Sequence, residues 1–148
     1  MQTETIYSLN EMNIWASSFI KNLSVNSDRA IIIGLLGDLG SGKTAFVQSV
    51  AKVLKIEKYI TSPTFVIQKR YKINFSEVSF KNLIHIDAYR LDCGSELLNL
   101  GWEEIISNPK NVIFIEWPEK VKDILDSDIK KIYFKFVDDK TRKISYEK

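Results

Sequence analysis

Apolar positions along the chain follow two rhythms. From Ser8 to Leu23, the residues Ile14, Trp15, Ala16, Phe19, Ile20 and Leu23 recur at helical spacing and make a broad apolar face. Ser8 and Glu11 stand at capping-box spacing at its start. Ala30 to Leu36 is short, β-branched and nearly all apolar, the pattern of a central parallel strand covered on both faces. Val47, Val50, Ala51 and Leu54 return to helical spacing. Val66 to Ile73 and Leu83 to Asp87 read as two strands of an antiparallel hairpin, with Asn74 to Ser79 as the loop between them. Ser95 is placed to cap a helix through Ile106 that buries Leu97, Leu98, Leu100 and Ile105, and Asn108-Pro109 ends it. Val112 to Ile115 is a second buried strand, followed by a short helix over Glu119 to Leu125. Lys131 to Val137 and Arg142 to Tyr146 flank Asp138-Asp139-Lys140-Thr141 as a terminal hairpin.

Buried strands interleaved with helices predict an α/β fold. The expected form is a three-layer sandwich with a mixed, mainly parallel central sheet and a C-terminal hairpin, and the phosphate-loop pattern at Gly37 to Thr44 makes it one of the P-loop NTPase type. With 148 residues, the chain suits a single domain over 1–148. The balance of 21 basic and 19 acidic residues argues against a dedicated polyanion binder, although it leaves room for a local basic patch. One cysteine, Cys93, and one histidine, His85, exclude an intramolecular disulfide and a cysteine zinc cluster and leave little for a histidine metal site. No signal-peptide pattern and no membrane-length apolar run is seen, so the cytoplasm is the expected compartment and no membrane the expected partner.

The chemistry concentrates in Gly37-Asp38-Leu39-Gly40-Ser41-Gly42-Lys43-Thr44, a full phosphate-loop pattern between a buried strand and an amphipathic helix. Glycines let the backbone wrap closely round a phosphate, and the loop amides point inward as a nest. The following helix presents its N-terminal N–H groups and positive dipole end to the same anion. Lys43 is expected to reach the outer phosphates and Thr44 to ligate Mg²⁺.

Such a loop works with a carboxylate at the end of a neighbouring strand, and there are two candidates. Asp87 ends Leu83-Ile84-His85-Ile86, and Glu116 ends Val112-Ile113-Phe114-Ile115. One acid would hold the metal shell and the other orient the attacking water. Glu116 is the metal candidate, because its strand is the more cleanly buried. His85 lies two residues before Asp87 on the same strand face and reads as a packed, hydrogen-bonded residue rather than a catalyst. Trp117 has two open readings: an indole stacked on a ligand, or one packed against the following helix.

Five segments together resemble the TsaE family of small P-loop ATPases, involved in making N6-threonylcarbamoyladenosine in tRNA. They are the phosphate loop, Ser62-Pro63-Thr64-Phe65, His85-Ile86-Asp87-Ala88-Tyr89-Arg90-Leu91, the Glu96 to Gly101 stretch with Glu103 and Glu104, and Ile115-Glu116-Trp117-Pro118-Glu119. The resemblance implies that Gly37 to Thr44 cradle ATP, with Thr44 and Glu116 on Mg²⁺ and Asp87 needed for hydrolysis. It implies a switch-like position for Thr64, sensing the γ-phosphate, and places Trp117 near the nucleotide or a partner face. It also puts the region of Ser8 to Met12, with Arg142, around the adenine. Ser41 stands where the family more often has alanine, a change too small to alter the loop.

The implied role is indirect. The resemblance makes the partner a TsaD–TsaB protein complex that modifies adenosine 37, with tRNA reached only through that complex. Hydrolysis of ATP would permit repeated turnover, slowly in isolation and faster in the complex. Arg90 is the arginine nearest the motifs, read as a structural ion-pair residue or as an arginine finger. Two other readings are a small-molecule kinase and a nucleotide-gated binding module without significant hydrolysis. The chain's four arginines, with no clustered pair, fit a kinase lid poorly.

Overall fold

The computed structural model describes residues 1–25, 28–61, 63 and 66–147. Among them the elements run β1 (Gln2–Ile6), α1 (Leu9–Lys21), β2 (Ile31–Leu36), α2 (Lys43–Val53), β3 (Gln68–Lys72), β4 (Asn82–Asp87), α3 (Ser95–Asn99), α4 (Trp102–Ile106), β5 (Asn111–Glu116), a 3-10 helix (Pro118–Val121), β6 (Lys130–Phe136) and β7 (Arg142–Tyr146). The strands form one seven-stranded sheet in the order β1-β7-β6-β2-β5-β4-β3. Its four central strands, β6, β2, β5 and β4, are parallel, and β3, β7 and β1 add antiparallel edges. The expected mixed sheet, the β3–β4 pairing and the C-terminal β6–β7 hairpin are all present.

Alternation along the central strands divides the interior into two cores. Ile33 and Leu35 of β2, Leu83 of β4, and Val112 and Phe114 of β5 face α1 and α2, around Trp15, Phe46 and Val50. Ile84, Ile86, Ile113 and Ile115 face the opposite way, onto Leu97, Trp102, Ile105 and Val121. These two cores make the three layers. The second helical layer covers only the β2–β5–β4 half of the sheet. On the other half, Lys131, Tyr133, Lys135 and Lys143 point away from the helices and are exposed.

Four local expectations need correction. On α1 the buried face contains Met12, whereas Ile14 is 62% exposed. Ser8 caps α1 through Glu11 N–H at 3.1 Å, but the Glu11 carboxylate accepts from Tyr7 N–H rather than closing the box on Ser8. The helix expected over Ser95 to Ile106 is two single-turn helices. Gly101 adopts φ 83° between them and re-aims the chain, so Trp102 and Ile105 are buried while Leu98 and Leu100 are exposed. The region after β5 forms a 3-10 turn at Pro118–Val121, shorter than the helix expected there. Among the described residues no helix is long and apolar enough to cross a membrane.

Candidate functional site

The site lies at the carboxyl ends of β2, β4 and β5. Strand β2 ends at Leu36, and the chain turns through Gly37, Gly40 and Gly42, all at positive φ, into α2. Gly37 admits no side chain: a Cβ there would lie 2.4 Å from the Phe134 carbonyl oxygen and 2.7 Å from Ser41 Oγ. The β6 backbone therefore forms the wall against which the loop is folded. Lys43 opens α2, whose first-turn N–H groups have no partner within the helix. Leu39 is exposed at the loop crest, beside exposed Asp38.

Lys43 is buried, and its ammonium donates to the carbonyls of Gly37 and Asp38, the latter at 2.8 Å. Burial lowers its pKa, while the charges of Glu116, Asp87, Glu119 and Asp38 act in the opposite sense. The Trp117 ring lies beneath the ammonium, 4.5 Å from Nζ to the centroid. Trp117 itself sits at φ 59°, with its N–H on the Leu35 carbonyl at 3.2 Å and its ring 5.2 Å from that of Tyr89. Its ring packs against the second core, which includes Val121 of the following 3-10 helix, and also lies under Lys43, so both readings of Trp117 stay open.

Parallel pairing of β4 with β5 sets Asp87 directly beside Glu116. Both belong to the α2-facing series of their strands, and both are buried, 6% and 3% exposed. Thr44 Oγ1 donates to Glu116 Oε1 at 2.7 Å, so the loop hydroxyl and the strand-end carboxylate meet at one point. Asp87 Oδ1 accepts from Tyr89 N–H at 2.9 Å, which steadies the turn after β4. His85 is fully buried, as expected of a packed residue, but it is not hydrogen-bonded. Its Nε2 stands 3.5 Å from Glu116 Oε2, and among the described residues neither ring nitrogen has a hydrogen-bond partner. This contact was missed in sequence because it depends on the register of two strands.

A cleft of about 330 Å³ adjoins the loop, lined by Tyr7, Ser8, Met12, Gly42, Lys140 and Arg142 among others. It joins the two chain regions expected around a base. Arg142 packs beside Gly42, with its aliphatic stem 3.5 Å from where a Cβ on that glycine would be. Its guanidinium lies 4.6 Å from the Phe136 ring centroid and donates to the carbonyls of Asp138 and, at 3.0 Å, Thr141. Tyr7 and Lys140 were not anticipated as lining residues; they flank predicted elements but carry no motif. A larger cavity, about 790 Å³, runs between α1 and the β1–β7–β6 edge and contains none of the predicted site residues. Arg90 is exposed just beyond β4. Thr64, with Ser62 and Phe65, lies outside the described residues.

The family resemblance implies a divalent cation, and the chemistry of the donors present would suit one. Thr44 and Glu116 offer hard oxygen ligands, and no cluster of three or more His, Cys, Asp or Glu suited to a metal occurs among the described residues. Two protein oxygens completed by water and phosphate oxygens match the preference of Mg²⁺ rather than that of zinc or calcium.

The family model for "Threonylcarbamoyl adenosine biosynthesis protein TsaE" matches residues 6–144. A tRNA threonylcarbamoyladenosine biosynthesis protein TsaE of Rickettsia typhi is 35% identical over 146 residues, covering 97% of this chain and 93% of that protein. The Bacillus subtilis protein of the same name is 33% identical over 115 residues, 78% of this chain and 68% of that one. The crystal structure of Bacillus YdiB superposes with a TM-score of 0.71 at 25% identity, covering 98% of this chain and 83% of that one. The chain belongs to the TsaE family of threonylcarbamoyladenosine biosynthesis proteins.

Proposed function

We propose that the chain is a Mg²⁺-dependent ATPase that acts on a TsaD–TsaB complex and allows it repeated rounds of tRNA threonylcarbamoylation. The observation that carries this reading is the meeting of Thr44 and Glu116 at 2.7 Å beside the Lys43 ammonium. The β- and γ-phosphates of ATP would lie over the loop amides and the start of α2. Lys43 would leave its two carbonyl partners for phosphate oxygens, neutralising charge that grows in the transition state. Thr44 and Glu116 would hold Mg²⁺, whose chemistry when bound is to polarise phosphoryl oxygens. Asp87, beside Glu116 at the end of β4, would orient the attacking water. The cleft between α1 and Arg142 would take the base, and Trp117 would close the phosphate side. Because the reaction takes place on a partner complex, tRNA would be reached through that complex and the site would lie in the cytoplasm.

The test uses purified TsaD–TsaB, tRNA and ATP, with modified tRNA and released phosphate followed together. Wild-type chain is expected to support many turnovers and to hydrolyse ATP faster in the complex than alone. Lys43→Ala is expected to do neither. Unchanged product and hydrolysis on adding wild type would overturn the reading. Phosphorylation of a metabolite in a substrate screen would replace it with a kinase.

A further inference from the structure

Glu116 carries a buried carboxylate, and a buried carboxylate is costly unless its oxygens are held. Thr44 holds Oε1. On the opposite side, the His85 ring, 0% exposed, brings Nε2 to 3.5 Å from Oε2. His85 and Glu116 are diagonal neighbours on parallel strands, because β4–β5 register sets His85 beside Phe114 and Asp87 beside Glu116. Both strands are buried along their length, so the ring is fixed by packing as well as by its own backbone. Among the described residues neither ring nitrogen has a hydrogen-bond partner. A ring this enclosed costs polar desolvation, and an aliphatic side chain would fill the same place without that cost.

We propose that His85 is a positioning residue for Glu116, donating from Nε2 to Oε2 and aiming Oε1 at the cation site. The inference rests on the metal role proposed above for Thr44 and Glu116. Its logic is a division of the carboxylate between two donors. Thr44 donates to Oε1, the oxygen on the cation side, and can keep that bond while a lone pair of its hydroxyl ligates the metal. His85 approaches from the other side, where no phosphate or metal is expected, and its hold is independent of occupancy. Removing it should therefore loosen the loaded site and leave the phosphate loop untouched.

The experiment measures the dissociation constant of a fluorescent ATP analogue with Mg²⁺ and with EDTA, for wild type, His85→Ala, His85→Phe and His85→Gln. Mn²⁺ binding to the nucleotide complex, read by electron paramagnetic resonance, serves as a second readout. Loss of an outer-shell partner typically costs about 10- to 100-fold in metal affinity. His85→Ala and His85→Phe are expected to weaken Mn²⁺ binding to this degree and to erase most of the Mg²⁺-dependent gain in nucleotide affinity. Affinity in EDTA should stay within about twofold of wild type. His85→Gln, which restores an N–H donor, should recover part of the loss. His85→Phe fills the space without a donor, so it decides the matter if the alanine variant fails to fold. Equal losses with and without Mg²⁺, or no loss in the phenylalanine variant, would overturn the proposal while leaving the ATPase reading intact. Absence of nucleotide binding, or of any Mg²⁺-dependent gain, in wild type would overturn both.

Discussion

The two halves of the sheet are built on different terms. At β2–β5–β4, helices cover both faces, the strands are mostly apolar and buried, and the charged groups are few and buried: Lys43, Asp87 and Glu116. At β6–β7–β1, only one face is covered, and the other carries Lys135 directly across from Lys143. The first half has its charges fixed by partners; the second leaves them in water. Chemistry that needs a low local dielectric and fixed groups belongs in the first. The second half supplies support and a cleft: the Phe134 carbonyl backs Gly37, and Arg142 flanks Gly42.

That contrast makes Asp87→Ala the change with the largest expected effect. Turnover in the partner complex should fall by about 10²- to 10⁴-fold, the range for loss of a group that manages the attacking water, with ATP affinity nearly unchanged. Rapid-quench hydrolysis beside equilibrium nucleotide binding checks it; parallel loss of both would mean that Asp87 acts on binding. Next comes Arg142→Ala, in the supporting half. It should weaken nucleotide binding by about tenfold at most, the order of one or two lost contacts, without altering turnover at saturation. Titration with ATP and with inorganic triphosphate separates base-side from phosphate-side loss, and triphosphate binding should not change.

The alkaline limb of nucleotide binding tests the buried half again. Burial holds the Lys43 pKa below its ordinary value in the free protein, and a bound polyphosphate should raise it. Between those two values binding takes up a proton, so affinity should decline as pH rises, beginning below the ordinary lysine range. Calorimetry in buffers of different ionisation heat would register that uptake; a flat profile up to ordinary lysine pH would refute it. Smallest of all should be Lys135→Glu on the open half. Turning a like-charge cross-strand pair into an opposite one should stabilise the fold by about 0.2–1 kcal/mol, visible as a modest rise in Tm that shrinks in high salt.

The same division explains what could be read from the chain. The phosphate loop was legible because its chemistry is contained in eight consecutive residues, and Glu116 and Asp87 because each ends an apolar run. Strand β1 was not anticipated: it is an edge strand with four of its five residues outside the core, so burial imposed little apolar signal. Ile14 and Met12 exchanged roles because a wide helical stripe does not settle which residues lie at its margin. The helix after Ser95 broke at Gly101, where one positive-φ residue outweighs the periodicity on either side. Within the site, the contact of His85 with Glu116 joins residues 85 and 116 through strand register, a quantity that is not written locally. The Arg142 cleft likewise requires the two ends of the chain to meet across the sheet.

The pairing of Asp87 with Glu116 also bears on quality control. Side chains alternate between faces along a strand, so a slip of one residue between β4 and β5 would turn one of these acids into the opposite core. The same slip would push Ile86 or Ile115 toward the phosphate loop. A misaligned molecule would then combine a charge buried in oil with a site short of one acid, and would be both unstable and inert. The register of β4 on β5 thus guards a clean core and a side-by-side pair of acids with the same contacts.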